Sequence, residues 1–311
     1  MHSSRARPQT YARSRANATC TTLVAVGREQ QGGATRAACR RLILRGAGHR
    51  TAMTGARARM LAAWDEYLAG WVRGDVPLPP MLRKWRDSYH GRGLGAVTAD
   101  AMPEPFIGDW ERAKLVTLGL NPGAADRPFQ ARGGYFAEEI AKRGFSEWAK
   151  TDPYGSDLWE DKSTVNGPRK NGRRVNGYRA ARVQFARRWL HDGGLGGADL
   201  LMLELYPWHS ARVTAAIKPP PGVLSEFIWE PLGEVDEQEV FAFGAPWLKV
   251  AEDLGLDRER RFERGSFRSA SRQAATFALP SGQQLVVVWQ SGYAGPPGAE
   301  DTQTLRELLS R

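Results

Sequence analysis

The stretch "VTLGLNPGAADRPFQ", Val116–Gln130, decides how the chain is read. An apolar, β-rich run enters Gly-Leu-Asn-Pro-Gly, so a buried strand ends on a tight turn. Asn-Pro-Gly is ordinary turn chemistry, and a strand followed by a good turn is one reading. The other is that Asn121 stands at the lip of a site and holds a water or a base. Two later strand exits have the same character: "LELYPWHS" at 203–210 and "VVVWQSGYAGPPG" at 286–298. In open α/β sheets ligands bind beyond the carboxyl ends of strands, so three polar exits in series point to one site.

The flanking sequence supplies the helices such a sheet needs. Leu61, Trp64, Leu68 and Trp71 fall on one helical face within 61–73. A short helix is expected over Pro80–Tyr89, and "VTADAMPEPFIGDW" (97–110) reads as loop, broken by Pro103 and Pro105. Strands are expected at Lys114–Leu120, Asp199–Leu205 and Val240–Phe243. Helices are expected from about Tyr135, over Tyr178–His191 with Val183, Ala186 and Leu190 on one side, over Pro246–Leu254, and over Thr302–Leu309. Ala275–Leu279 and Gln284–Trp289 flank "PSGQ", a hairpin signal. Alternating strands and helices predict an α/β fold with helices on both faces of the sheet. Residues 151–177 are polar and turn-rich, a long loop or hairpin carrying Arg169, Lys170, Arg173 and Arg174. That run is either a phosphate-contacting surface or a solvated charge run.

Net charge needs care. The chain has 311 residues and a formal charge of +10, but residues 1–60 hold twelve arginines and no lysine against one acid, Glu29. The rest is close to neutral, so the overall charge is no argument for nucleic-acid binding by the body. Residues 1–59 lack apolar periodicity and are expected to be a disordered basic segment. They read as a nucleic-acid-binding tail, a transit-like leader, or translated sequence upstream of a start at Met53 or Met60. Residues 60–311 are expected to form a single domain with an N-terminal helical extension. Both cysteines, Cys20 and Cys39, precede residue 60. The body therefore has no disulfide, Cys-ligated zinc or iron–sulfur cluster. No window approaches 18 continuous apolar residues, and no secretory leader is evident, so a cytoplasmic location is expected.

Taken together, "GLNPG", "LLMLEL", "VFAFGAPWLKVAEDLG", "LVVVWQSGYAG" and "TQTLRELL" resemble, in order and spacing, the uracil-DNA glycosylase superfamily over roughly residues 110–311. "GLNPG" is similar to the first motif of its mismatch-specific and single-strand-selective branches. The resemblance implies a three-layer α/β/α fold with a mainly parallel central sheet. It also implies a metal-free, cofactor-free DNA glycosylase, expected to act as a monomer with DNA as its partner. A base must be flipped from the stack before its glycosidic bond is cut. Asn121 would then orient the attacking water, a positional role because an amide is a poor base. Phe136 would stack on the base, or else be a core residue of its helix.

The departures from the family pattern bear on substrate. Where the family has His-Pro-Ser, this chain has Trp289-Gln290-Ser291, so Gln290 or His209 would have to replace the missing leaving-group stabiliser. Ser291 and Tyr293 fall where the family contacts DNA, and Tyr293 would be the wedge filling the flipped base's place; alternatively it packs its own loop. Glu204 stands where relatives often carry Asn. An ionised carboxylate only accepts hydrogen bonds, which suits an exocyclic amine and opposes uracil's O4. The expected substrate is therefore an unusual base, such as a modified cytosine of phage-type DNA, in a defence role. Otherwise Glu204 pairs internally, for example with Arg212. The competing functions are a non-catalytic nucleic-acid-binding module of the same fold, a uracil or mismatch repair glycosylase, and a hydrolase of small nucleosides.

Overall fold

The computed structural model describes residues 55–74, 77–156, 159, 169–170, 173–174, 176–236 and 239–310. Residues 1–54, with both cysteines and most of the basic segment, lie outside the described residues.

Seven strands form one sheet in the order β1 (Phe106–Ile107), β5 (Leu200–Glu204), β2 (Leu115–Gly119), β6 (Glu239–Phe243), β9 (Gln284–Trp289), β8 (Gln273–Ala278), β7 (Arg258–Phe262). The four strands β5-β2-β6-β9 are mutually parallel; β1 at one edge and β8 at the other side run antiparallel. The parallel strands read as near-continuous apolar runs because both faces are covered. β2 and β5 are buried at every position. β7, "RERRF", is an exposed edge whose charges discourage further pairing; the same charges hide it from an apolar-run search. A separate hairpin pairs β3 (Arg169–Lys170) with β4 (Arg173–Arg174).

Helices lie on both faces. On one, Phe185 and Trp189 of α6 (Gly177–Trp189) meet Phe241 and Phe243 edge-on, and the last helix, α10 (Ala299–Leu309), packs beside α6. On the other, Phe106 packs on Phe145 of α5 (Phe145–Ala149), and α1 (Ala56–Arg73) packs on α5 and on α4 (Tyr135–Arg143). Strand alternation sets this division: Phe106 pairs Leu203, whereas Phe241 pairs Thr117, whose partner Met202 is one residue out of phase. The remaining helices are α2 (Pro80–Arg86), α3 (Arg127–Gln130), α7 (Pro221–Leu224), α8 (Glu230–Leu232) and α9 (Ala245–Asp253), with a π-helical turn at Ser225–Trp229.

Four expectations are corrected. α1 begins at Ala56, not near Met60, and the Glu234 carboxylate receives the orphan backbone N–H groups of Ala56 and Arg57. The 97–110 loop contains β1. The helix after Tyr135 is split at Gly144, whose φ of 86° a non-glycine residue rarely adopts. In α6, Leu190 is exposed just beyond the helix end, and Arg182 is buried in its stead. Among the described residues no helix is long and apolar enough to cross a membrane, and no group of three or more His, Cys, Asp or Glu is gathered to hold a metal ion.

Candidate active site

Among the parallel strands β2 comes first in the chain, β5 lies to one side and β6 to the other. The order reverses at β2, so the carboxyl ends of β2 and β6 flank the topological switch point, where open α/β sheets bind their ligands. The Leu120-Asn121-Pro122-Gly123 exit opens there, closed by Gly123 at φ 83°. Leu205 and Tyr206 donate to the carbonyls of Gly119 and Leu120, extending the β2–β5 pairing, and the Trp247 indole of α9 also donates to Gly119. Asn121 is therefore held rigidly.

Its side-chain nitrogen donates to the Ser210 carbonyl at 2.9 Å and to Ser210 Oγ at 3.0 Å. A carbonyl can only accept, so the amide orientation is fixed by chemistry. Among the described residues nothing donates to Asn121 Oδ1, and it is not among the polar atoms sealed from solvent. The amide is anchored through its donors, and its acceptor oxygen is left over.

The loop after β9 borders the same turn. A Cβ on Gly244, at the end of β6, would stand 3.0 Å from Leu120 and 3.2 Å from Ala294. Gln290 to Tyr293 is a tight turn with Gly292 at φ 71° and a Tyr293 N–H to Gln290 carbonyl bond of 3.2 Å. Ser291 is exposed and Tyr293 is 49% exposed. Gln290 Oε1 accepts from Arg272, which pairs with Asp301 at 3.2 Å, so the turn is braced from behind and Gln290 Nε2 is left without a partner.

Phe136 does not face this crevice. It is 1% exposed, lies nearly parallel to Trp159 at 5.8 Å, and meets Phe129, Trp148 and Tyr154 on its other sides. A ring so enclosed is core and leaves no slot for a base. His209 is likewise committed. Its Nδ1 lies 3.1 Å from the Gly123 carbonyl, to which it must donate, and its sealed Nε2 lies 3.4 Å from Glu104 Oε1. It is a strut between the Asn-Pro-Gly turn and Glu104, not a contact for a departing base.

Glu104 itself was not anticipated. It sits between Pro103 and Pro105, just before β1. Because β1 is antiparallel, its entrance, not its exit, lies at the carboxyl end of β5. Glu104 N–H bonds the Pro207 carbonyl, and Glu204 N–H bonds the Pro105 carbonyl. Gln130 Nε2 and Tyr154 Oη both donate to Glu104 Oε1. The Gln130 amide is oriented by the Asp126 N–H, which donates to its Oε1 at 2.5 Å. Tyr154 keeps its proton, since burial and then the Glu104 charge push its hydroxyl well above the usual range. Among the described residues nothing donates to Glu104 Oε2, and it is not among the polar atoms sealed from solvent.

Glu204 ends β5 beneath α6. Tyr178 Oη donates to its Oε1 at 2.6 Å. Its Oε2 is sealed without a partner, over Gly119, where a Cβ would come within 2.4 Å of it. The internal cation nearby is Arg182, not Arg212, whose side chain is exposed. The Arg182 guanidinium is buried, 3.4 Å above the Tyr178 ring, and donates to the Tyr178 carbonyl. Burial raises the Glu204 carboxyl to about 7, against the lowering effects of Arg182 and of the Tyr178 bond. The acceptor-only argument against uracil therefore weakens, because a carboxyl near 7 carries a proton for part of the time at neutral pH. Arg169, Lys170, Arg173 and Arg174 form the β3–β4 hairpin; the placement of their side chains lies outside the described residues. No protein-family model matches the chain, and no curated protein matches it.

Proposed function

We propose that this chain is a DNA glycosylase with a uracil-DNA glycosylase-like arrangement, hydrolysing the N-glycosidic bond of a flipped base and leaving an abasic site. The observation that carries the reading is Asn121, tied by its amide nitrogen to Ser210 with its oxygen open at the switch point. Hydrolysis of an N-glycoside needs a fixed acceptor to orient water against C1′, and a preorganised amide oxygen is such a group. The exposed Tyr293 on a braced turn beside Leu120 supports a polymeric substrate, since an aromatic wedge can fill the gap left by a flipped base. Gln290 Nε2, unpartnered on that turn, is the donor best suited to the leaving base. The β3–β4 hairpin leading into α6 is the proposed phosphate-contacting segment.

The proposed substrate is a base with an exocyclic amine, a modified cytosine rather than normal cytosine. Glu204 Oε1 is taken by Tyr178 and its Oε2 is sealed over Gly119, so Glu204 itself reads no base edge and uracil is the necessary comparison. The test is incubation of the full chain with DNAs carrying uracil, cytosine and modified cytosines, with mass spectrometry of released bases. Asn121→Ala should slow release on the order of 100-fold or more, with DNA affinity little changed. Equal release by the variant overturns the role of Asn121. Tight DNA binding without release from any DNA would favour a non-catalytic binding module.

A further inference from the structure

The reaction proposed above needs something Asn121 cannot provide. Water attacking C1′ sheds a proton, and an amide does not take it. We infer that Glu104 is the proton acceptor of the site, an inference that rests on the glycosidase reading.

Three observations converge on it. First, the carboxylate is oriented: Gln130 and Tyr154 both donate to Oε1, from α3 and the 150s turn, and the His209 ring lies 3.4 Å from the same oxygen. Second, the other oxygen is left over: Oε2 has no partner and is not sealed. Third, Glu104 is coupled to the water-orienting residue through two consecutive residues. His209 reaches Glu104 with one ring edge and the Gly123 carbonyl with the other, and Ser210 holds the Asn121 amide. The other carboxylate near this edge fails the second criterion, since Glu204 Oε2 is sealed over Gly119.

The water oxygen bonds to C1′ as the C1′–N bond breaks, and that bond's electron pair leaves with the base. The water proton passes to Glu104 Oε2 and then to solvent, while the base anion takes a proton from solvent. Tyr154 and Gln130 are positioning residues that hold Oε1 and leave Oε2 over for the proton.

The test uses the full chain and whichever DNA the wild type cuts. Glu104→Gln, which keeps the shape, should lower single-turnover release by about 100-fold or more, the usual span for a lost proton acceptor, with DNA affinity within about threefold. Glu104→Ala should be similarly slow and regain about tenfold or more on adding formate, a small carboxylate for the vacated space. Formate should not rescue Asn121→Ala. Release by Glu104→Gln within about threefold of wild type overturns the inference and leaves the glycosidase reading standing. So does a slow Glu104→Ala that melts like wild type yet gains nothing from formate. If the wild type releases no base from any DNA, both readings fall together.

Discussion

Glu104 and Glu204 are built from similar parts and differ in what is left over. Both are buried at the carboxyl end of β5, both accept from a tyrosine hydroxyl, and each has a nitrogen-bearing side chain nearby, the His209 ring for one and the Arg182 cation for the other. Their segments are stitched together by reciprocal backbone bonds. Around Glu104 the donors crowd one oxygen and leave the second open. Around Glu204 one oxygen has a single donor and the second is sealed against Gly119. Burial alone therefore does not mark a reactive carboxylate; the unspent, reachable oxygen does. A sealed one costs stability and contributes chemistry only through its neighbours.

The largest effect that could break this comparison comes from removing the cation beneath Glu204. Arg182→Met should destabilise the fold by about 3–5 kcal/mol at pH 8, where Glu204 is ionised and left uncompensated. At pH 5 the loss should shrink, because Glu204 then carries a proton. Urea unfolding at both pH values measures it. A loss below about 1 kcal/mol at pH 8 would mean that Arg182 does not compensate Glu204.

The same contrast explains what could be read from the sequence. The parallel core was legible because β2, β5, β6 and β9 are long apolar runs followed by polar turns, and Asn121, His209 and Ser291–Tyr293 all lie on strand exits. Glu104 was not legible by that route, since it precedes its strand, and only the antiparallel direction of β1 brings it to the site. A carboxylate fixed between Pro103 and Pro105 was the one local signal. For Phe136 the sequence leaves stacking ring and core residue both open, because the periodicity of α4 gives a buried face without telling core from pocket; Trp159 stacking on it decides for core. Arg182 was invisible in principle. An arginine within a helix reads as solvated until the loss of a Cβ at Gly119 and the Tyr178 ring make room beneath it.

Glu204 should also leave a signature in the pH dependence of stability. Its carboxyl lies at about 7 in the fold against an ordinary value of 4.5. Below about 4.5 both folded and unfolded chains hold the proton, so the contribution is fully present there. Between 4.5 and 7 the unfolded chain releases the proton while the fold retains it, and stability falls as pH rises. The total over that window is about 3 kcal/mol. Glu204→Gln should remove this slope and be the more stable protein at pH 8, with base release little changed. Denaturation midpoints at pH 5 and pH 8 for both proteins would show it. An unaltered slope would assign the pH dependence to other groups.

The smallest effects give the sharpest form of the comparison, because one substitution can be made in both places. Tyr178→Phe removes the hydrogen bond to the Glu204 carboxylate and, among the described residues, leaves both of its oxygens without a donor. A lost bond to a charged group costs about 1–3 kcal/mol, so the melting temperature should fall while the rate of base release holds. Tyr154→Phe removes one of the two donors to Glu104 Oε1, but Gln130 remains. Its stability cost should be the smaller, about 1 kcal/mol, and its main effect should be a several-fold slower release, because Oε2 is held less firmly toward the crevice. Melting curves and single-turnover release on the same four-protein set, the wild type, both tyrosine variants and their double, would test the division. Additive losses, stability from one site and rate from the other, are expected for clusters that do separate jobs. If both variants lose stability alike and neither changes the rate, the two carboxylates are equivalent structural groups and the open oxygen of Glu104 has no chemical use.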